Sequence, residues 1–159
     1  MKEDFLISIR GRQQVDNETG EIELTTLGSY VKRGNSRYIV YKEYTDDQNT
    51  AHAAQIPQTS VLKIDADSRV TLMRGGADST RLILEQGKRH LCQYDTGFGN
   101  LMVGVFTSNV SNKLNDKGGN LEVNYTLDIN SSLSSLNEIF ITVKEVPNKD
   151  VKNSVAGNQ

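Results

Sequence analysis

The sequence predicts an all-β protein, an antiparallel up-and-down β-barrel of about eight to ten strands. Apolar residues recur at every second position through almost the whole chain, as in strands that bury one face. Turn-forming residues separate these runs at short intervals, which favours hairpins between neighbouring strands. No segment has the apolar spacing of a long amphipathic helix. Such strands bury their apolar faces in a barrel or a sandwich, and the regular meander spacing favours the barrel.

The alternation is clearest in the stretch LEVNYTLDI (121–129), where all the odd-numbered residues are apolar or aromatic. Shorter runs alternate in the same way. In chain order they include Phe5, Ile7 and Ile9; Ile22, Leu24 and Thr26; Ile39 and Tyr41; Val70 and Leu72; and Ile139, Ile141 and Val143. The intervening turns are predicted at NETG (17–20), RGNS (33–36), DADS (65–68), RGGADS (74–79), EQGK (85–88), TGFG (96–99) and NDKGG (115–119).

Three segments do not fit the strand pattern. TDDQNTAHAAQIP (45–57) is polar, and we expect a loop with one helical turn; NSSLSSLN (130–137) is expected to be a flexible connection before the last strand. The chain is therefore predicted to form a single barrel domain over 1–147, followed by a disordered C-terminal tail over 148–159.

Composition limits the classes of function. The net charge of −2 provides no general attraction to nucleic acid. Lys32, Arg33, Arg37 and Lys42 cluster near tyrosines, but a solvated hairpin edge explains them better than a nucleic-acid site. The single cysteine, the absence of a signal-peptide pattern and the short apolar runs predict a cytoplasmic protein that does not enter membranes.

The glycines of YDTGFGNLMVGVFTS (94–108) do not match a phosphate-binding loop. A Walker loop ends in lysine and a hydroxyl residue, and a dinucleotide-binding loop opens a helix, whereas an alternating apolar strand follows here. We expect Gly97 and Gly99 to shape a hairpin turn and Gly104 to permit a bulge or sharp curvature within a strand.

Several motifs together resemble the YwiB-like family of small bacterial proteins. They are GSYVKRGNSRYIVYKEY (28–44), VTLMRGG (70–76), YDTGFGNLMVGVFTS (94–108) and the paired glycines before LEVNYTLDI (121–129). The resemblance implies a calycin-like, lipocalin-resembling barrel around a central cavity, in a family of unknown function. It implies no catalytic residues. The chain has no tryptophan, so the glycine and tryptophan motif of true lipocalins is absent.

Strand parity predicts an ion pair inside the barrel. Glu43 shares a strand face with Ile39 and Tyr41, and Arg74 shares one with Val70 and Leu72. Charges that point inward should pair with each other, lie near a rim or contact a ligand. A structural pair is one interpretation and a lumen that recognises a polar or charged small molecule is the other. If the pair is buried, Arg74→Ala should cost about 3–5 kcal/mol.

Further candidates for the lumen are Tyr30, Tyr41, Tyr125 and Thr107, whose hydroxyl groups could face a ligand, and the hydroxyl groups of Tyr38 and Tyr94 could do the same. Such tyrosines also commonly fill a core with their hydroxyl satisfied. His90 and Cys92 share one face near Asp95, but they are too few for a zinc site. Cys92 has no recognisable base to activate it, so we expect neither metal, nor cofactor, nor catalysis.

Two functions follow from these observations. The first is a non-catalytic module that binds a small molecule in the barrel lumen or at its mouth. The second is a protein-interaction or homodimerisation scaffold that uses an outer sheet face. Outward apolar residues favour the second: Val31, Val40, Met73, Ile83, Met102 and Phe106.

Overall fold

The structure is a computed structural model that describes residues 4–46, 55–75, 79–95 and 99–146. Over these residues the chain forms ten β-strands. They are β1 (Phe5–Val15), β2 (Glu18–Arg33), β3 (Ser36–Asp46), β4 (Gln55–Ile64), β5 (Val70–Arg74), β6 (Thr80–Leu84), β7 (Arg89–Asp95), β8 (Asn100–Asn115), β9 (Gly118–Ile129) and β10 (Ser132–Glu145). The described residues contain no helix that is long and apolar enough to span a membrane.

The ten strands form a closed antiparallel barrel in simple meander order. Each strand pairs with the next along the chain, and β10 closes the barrel by pairing with β1 from Phe5 opposite Glu145 to Gln14 opposite Leu136. The predicted up-and-down barrel is confirmed. Odd-numbered strands all end at one end of the barrel, which we call the upper end; even-numbered strands end at the lower end.

The core follows from the alternation seen in the sequence. Most buried residues lie at the inward, alternate positions of the strands, and the fully buried ones are mostly aliphatic: Ile7, Ile39, Ile64, Leu82, Leu84, Leu121 and Ile141 are among the largest. Their cross-strand partners are inward residues too, as with Ile39 opposite Leu62 and Leu62 opposite Leu72. This aliphatic layer fills the middle and lower parts of the barrel.

Two segments predicted as connections contain strand residues. NSSLSSLN (130–137) is a two-residue turn at Asn130 and Ser131, both with positive φ, followed directly by β10. Polar strand residues are tolerated there because Ser132 and Ser134 are exposed and the buried Ser135 accepts a 2.9 Å hydrogen bond from Asn137 Nδ2. Within TDDQNTAHAAQIP (45–57), β3 continues to Asp46 and β4 begins at Gln55, whereas 47–54 lie outside the described residues. The proposed tail, 148–159, also lies outside them.

Gly104 is in regular register with both neighbouring strands, so the bulge predicted as one of its two roles does not occur at this residue. The strand irregularities of β8 and β10 lie between Thr107 and Asn109 and between Leu133 and Ser135, away from this glycine. The Arg89 guanidinium instead occupies the space that a Cβ atom at position 104 would need. From there Arg89 donates hydrogen bonds of 2.7 and 3.0 Å to the Asp128 carboxylate. Gly104 therefore makes room for an ion pair across the outer face. Gly99 has a φ of 133°, as a turn glycine requires, and Gly97 lies outside the described residues.

A polar turn at the lower end makes stability depend on pH. Ser36 Oγ donates a 2.7 Å hydrogen bond to Asp65 Oδ1, and Arg69 Nε lies 3.3 Å from Oδ2. These contacts, the Ser36 bond foremost, hold the pKa of Asp65 below its ordinary 3.8.

A carboxyl group whose pKa is lower in the folded than in the unfolded protein stabilises the fold. This stabilisation is complete above the pKa of the unfolded chain and is lost as the pH falls through the pKa of the folded protein. We expect the free energy of unfolding to decrease as the pH falls below about 4, and to decrease less steeply in Asp65→Asn. Urea unfolding of both proteins between pH 2.5 and 6 measures this, and equal slopes would contradict it.

Candidate functional site

A cavity of about 520 Å³ occupies the upper part of the barrel lumen. Its floor is apolar and consists of inward residues of β4, β5 and β6, namely Leu62, Leu72 and Leu82. Towards the upper end its wall becomes polar, and the β1–β2 hairpin contributes Gln13 and Gly20 to the mouth. The polar wall includes Tyr41, Glu43, Arg74, Thr80, Tyr94, Tyr125 and Asn137. The lumen is therefore filled by side chains below and open above.

Strand register places the polar groups at one height. Tyr41 lies opposite Ser60, Ser60 opposite Arg74, and Arg74 opposite Thr80, so the four form a row across β3 to β6. Glu43 is the next inward residue of β3 above Tyr41. On the facing wall, Tyr125 of β9 lies opposite Asn137 of β10.

The inward ion pair predicted from parity is present. Arg74 Nη2 lies 3.5 Å from Glu43 Oε1, and the two side chains are 38% and 26% exposed. The pair is thus reached by solvent through the mouth and is not fully buried. Arg74 Nε, in contrast, is shielded from solvent and has no hydrogen-bond partner among the described residues. Because Nε is enclosed, a ligand in the cavity would contact Arg74 through the exposed part of its side chain.

We expect Arg74→Met to lower the free energy of unfolding by about 1 kcal/mol or less, because ion pairs that solvent reaches contribute little. Methionine keeps most of the aliphatic stem, so the change reports mainly on charge. Urea unfolding measures the difference. A loss of about 3 kcal/mol or more would show that the pair behaves as a buried one.

Two tyrosines of the cavity wall lie near the Arg74 guanidinium. Burial, with a smaller contribution from the neighbouring Tyr94, raises the pKa of Tyr125 to about 12, and Arg74 opposes the shift. Burial also raises the pKa of Tyr41, and the nearby Glu43 carboxylate contributes to the rise. The phenols of Tyr41 and Tyr125 therefore stay protonated at neutral pH, and each can donate a hydrogen bond. Neither is prepared to act as a phenolate.

Two predicted lumen residues lie away from the cavity. Tyr30 points inward at the lower end, where its hydroxyl donates a 2.6 Å hydrogen bond to the Asn115 carbonyl and its ring packs edge-on against Phe5. Thr107 is fully buried opposite Tyr125 and does not line the cavity wall. Parity was right for both residues, but Tyr30 lies at the other end of the barrel and Thr107, although paired with the cavity residue Tyr125, is completely covered.

Two polar residues of the inner wall were missed by the sequence reasoning. Thr80 and Asn137 line the cavity together with Tyr94 and the other predicted residues. Each shares the strand parity of apolar residues, Thr80 with Leu82 and Asn137 with Ile139 and Ile141. That alternation was the available signal.

The other chemistry-bearing residues form no reactive arrangement. Cys92 is buried, its Sγ accepts a 3.3 Å hydrogen bond from the Ile83 amide, and burial raises the pKa of its thiol. His90 Nε2 lies 2.9 Å from Glu85 Oε1, at the turn between β6 and β7. Across the described ranges, no three or more His, Cys, Asp or Glu side chains gather in a way that could hold a metal ion.

Comparison with known proteins identifies the family. Residues 7–141 match the model of a domain of unknown function, DUF1934. The chain belongs to the DUF1934 family. Within this DUF1934 chain the match runs from the middle of β1 to β10 and so includes every strand of the barrel.

The DUF1934 chain is also similar to a bacterial β-barrel protein. It is 22% identical over 144 residues to the uncharacterised β-barrel protein YwiB of Bacillus subtilis (strain 168), covering 89% of this chain and 95% of the relative. The crystal structure of the ywiB protein from Bacillus subtilis superposes with a TM-score of 0.71 at 20% identity, covering 89% and 90% of the two chains. The resemblance to the YwiB-like family is confirmed, and the structural match shows a shared fold.

Proposed function

We propose that this DUF1934 barrel is a non-catalytic module that binds a small molecule in its upper cavity and acts in the bacterial cytoplasm. The observation that carries the proposal is the cavity itself, about 520 Å³ in volume, with an apolar floor and polar groups that converge at one height. Small-molecule sites commonly combine an apolar lining with a few placed polar groups in a volume of about 300–1,000 Å³. The Arg74 side chain, which is 38% exposed, supports a ligand contact at this point.

Native mass spectrometry of the protein purified from its own source tests the proposal. We expect the mass under native conditions to exceed the mass after denaturation by that of one small molecule. A native mass equal to the denatured mass, in preparations that were never exposed to denaturant, would contradict it.

A second candidate, a homodimerisation scaffold, is favoured by the outer face of β7 and β8. Leu91, Met102 and Phe106 are 64%, 57% and 38% exposed there. The other outward residues predicted for such a surface, Val31, Val40, Met73 and Ile83, are half-buried. The same spectra decide this candidate, because a dimer doubles the native mass. Met102→Glu should then restore the mass of a monomer.

A further inference from the structure

The charges at the exposed rim of the cavity do not select an ion. Glu21, Glu23 and Glu138 belong to its lining, but their strand parity is opposite to that of the inward residues Gln13, Gly20 and Asn137, so their side chains belong to the outer face of the sheet. Glu21 lies 3.5 Å from Arg12 and Glu23 lies 3.5 Å from Arg10, so these charges offset each other and are largely screened by water. Of the described lining residues, Glu43 and Arg74 carry the charges that face the interior of the cavity.

Deeper in the cavity, the two charges offset each other. Glu43 and Arg74 form a neutral pair, and the other polar groups around them are uncharged hydroxyl and amide side chains. A carboxylate placed on Arg74 would also face Glu43, and an ammonium placed on Glu43 would face Arg74. Either ion would leave one uncompensated charge in a partly desolvated place, which is costly. A neutral group avoids this cost.

The pair also retains capacity for hydrogen bonds. Its 3.5 Å separation exceeds the roughly 2.7–2.9 Å of a strong charge-assisted bond. Both side chains are partly exposed, so the Arg74 guanidinium can donate a hydrogen bond to a ligand and the Glu43 carboxylate beside it can accept one. A ligand that carries an acceptor next to a donor can satisfy both at once. Primary carboxamides and lactams have this arrangement.

The remainder of the cavity suits an apolar body. Leu62, Leu72 and Leu82 form the floor beneath the pair, and the rings of Tyr41 and Tyr125 flank it. Burying a small hydrocarbon or aromatic group there removes apolar surface from water on both sides, which favours binding.

We propose that the cavity selects a neutral small molecule whose carboxamide or lactam edge bridges Arg74 and Glu43 and whose apolar body lies on the leucine floor. This inference rests on the proposed small-molecule-binding function and specifies the class of ligand.

Three probes of matched shape test it: phenylbutyramide, phenylbutyrate and phenylbutylammonium. Calorimetric titration of the full chain is expected to show the amide binding about tenfold more tightly than either ion, a difference of the size of one hydrogen bond to a charged group. Replacing one member of the pair should change the preference. Glu43→Gln should favour phenylbutyrate, and Arg74→Gln should favour phenylbutylammonium.

Asp116→Asn is the matched control for Glu43→Gln. It removes one carboxylate from the lower end, where Asp116 pairs with Arg37 at 2.9 Å, and should leave the order of the three probes unchanged. Tighter binding of either ion by the unmodified protein, or binding of none of the probes, would overturn the inference. Native mass spectrometry judges the proposed function separately, because a co-purified ligand of any charge would uphold it.

Discussion

Gly119→Ala is expected to lower the free energy of unfolding by about 3 kcal/mol, the largest effect of the substitutions considered. Gly119 has a φ of 130°, which a residue with a Cβ atom rarely adopts. A Cβ atom there would also collide with the Lys113 carbonyl of the neighbouring strand β8. Because both atoms belong to paired strands, neither can move without breaking ladder hydrogen bonds. Gly119 and the adjacent Gly118 thus allow β9 to leave its turn closely packed between β8 and β10.

Urea unfolding compares Gly119→Ala with Gly20→Ala. Gly20 also lies in a strand, but its φ is not in the positive region and a Cβ atom there would meet nothing within 4 Å. The control should change stability by less than about 1 kcal/mol. Equal losses in the two variants would mean that the predicted collision at position 119 has no energetic consequence.

Gly20→Trp is expected to weaken the binding of phenylbutyramide at least about tenfold while the barrel stays folded. Gly20 lies opposite Gln13, whose side chain donates a 3.2 Å hydrogen bond to the inward residue Asn137. Position 20 therefore faces the lumen, and it lines the mouth of the cavity. Because the space there is open, an indole should enter the mouth and compete with the ligand.

Calorimetric titration measures this loss, with thermal unfolding as the check on folding. Gly20→Ala serves as the control, because one methyl group leaves the mouth open and should leave the affinity unchanged. Unchanged binding by a folded Gly20→Trp protein would place the ligand outside the upper cavity.

The sequence predicted the barrel and the inward pair for the same physical reason. In a strand the side-chain direction alternates strictly, so Ile39 and Tyr41 determine the side on which Glu43 lies, and Val70 and Leu72 do so for Arg74. Parity contains no information about height along the barrel axis. Tyr30 and Tyr125 look alike in sequence, but register places Tyr30 beside Asn115 at the closed lower end and Tyr125 at the cavity.

The prediction from local composition was wrong where strands extend beyond the core. The serine-rich stretch 130–137 lacks a simple apolar alternation, since Leu133 and Leu136 have opposite parity across the irregularity of β10. Its pairing with β9 nevertheless supplies the backbone hydrogen bonds of a regular hairpin. Likewise, the role of Gly104 depends on Arg89, which lies on another strand and becomes its neighbour only through the β7–β8 register. Contacts of this kind form only when the strands pair in the register of the folded barrel, so a local sequence pattern does not predict them.

The most direct test of the account is a heteronuclear NMR titration of the full chain with phenylbutyramide. Binding in the upper cavity predicts the largest shifts at backbone amides of Tyr41, Arg74 and Tyr125, with Tyr30 at the lower end unaffected. Shifts confined to the outer face around Leu91 and Met102, or no shifts at all, would contradict it.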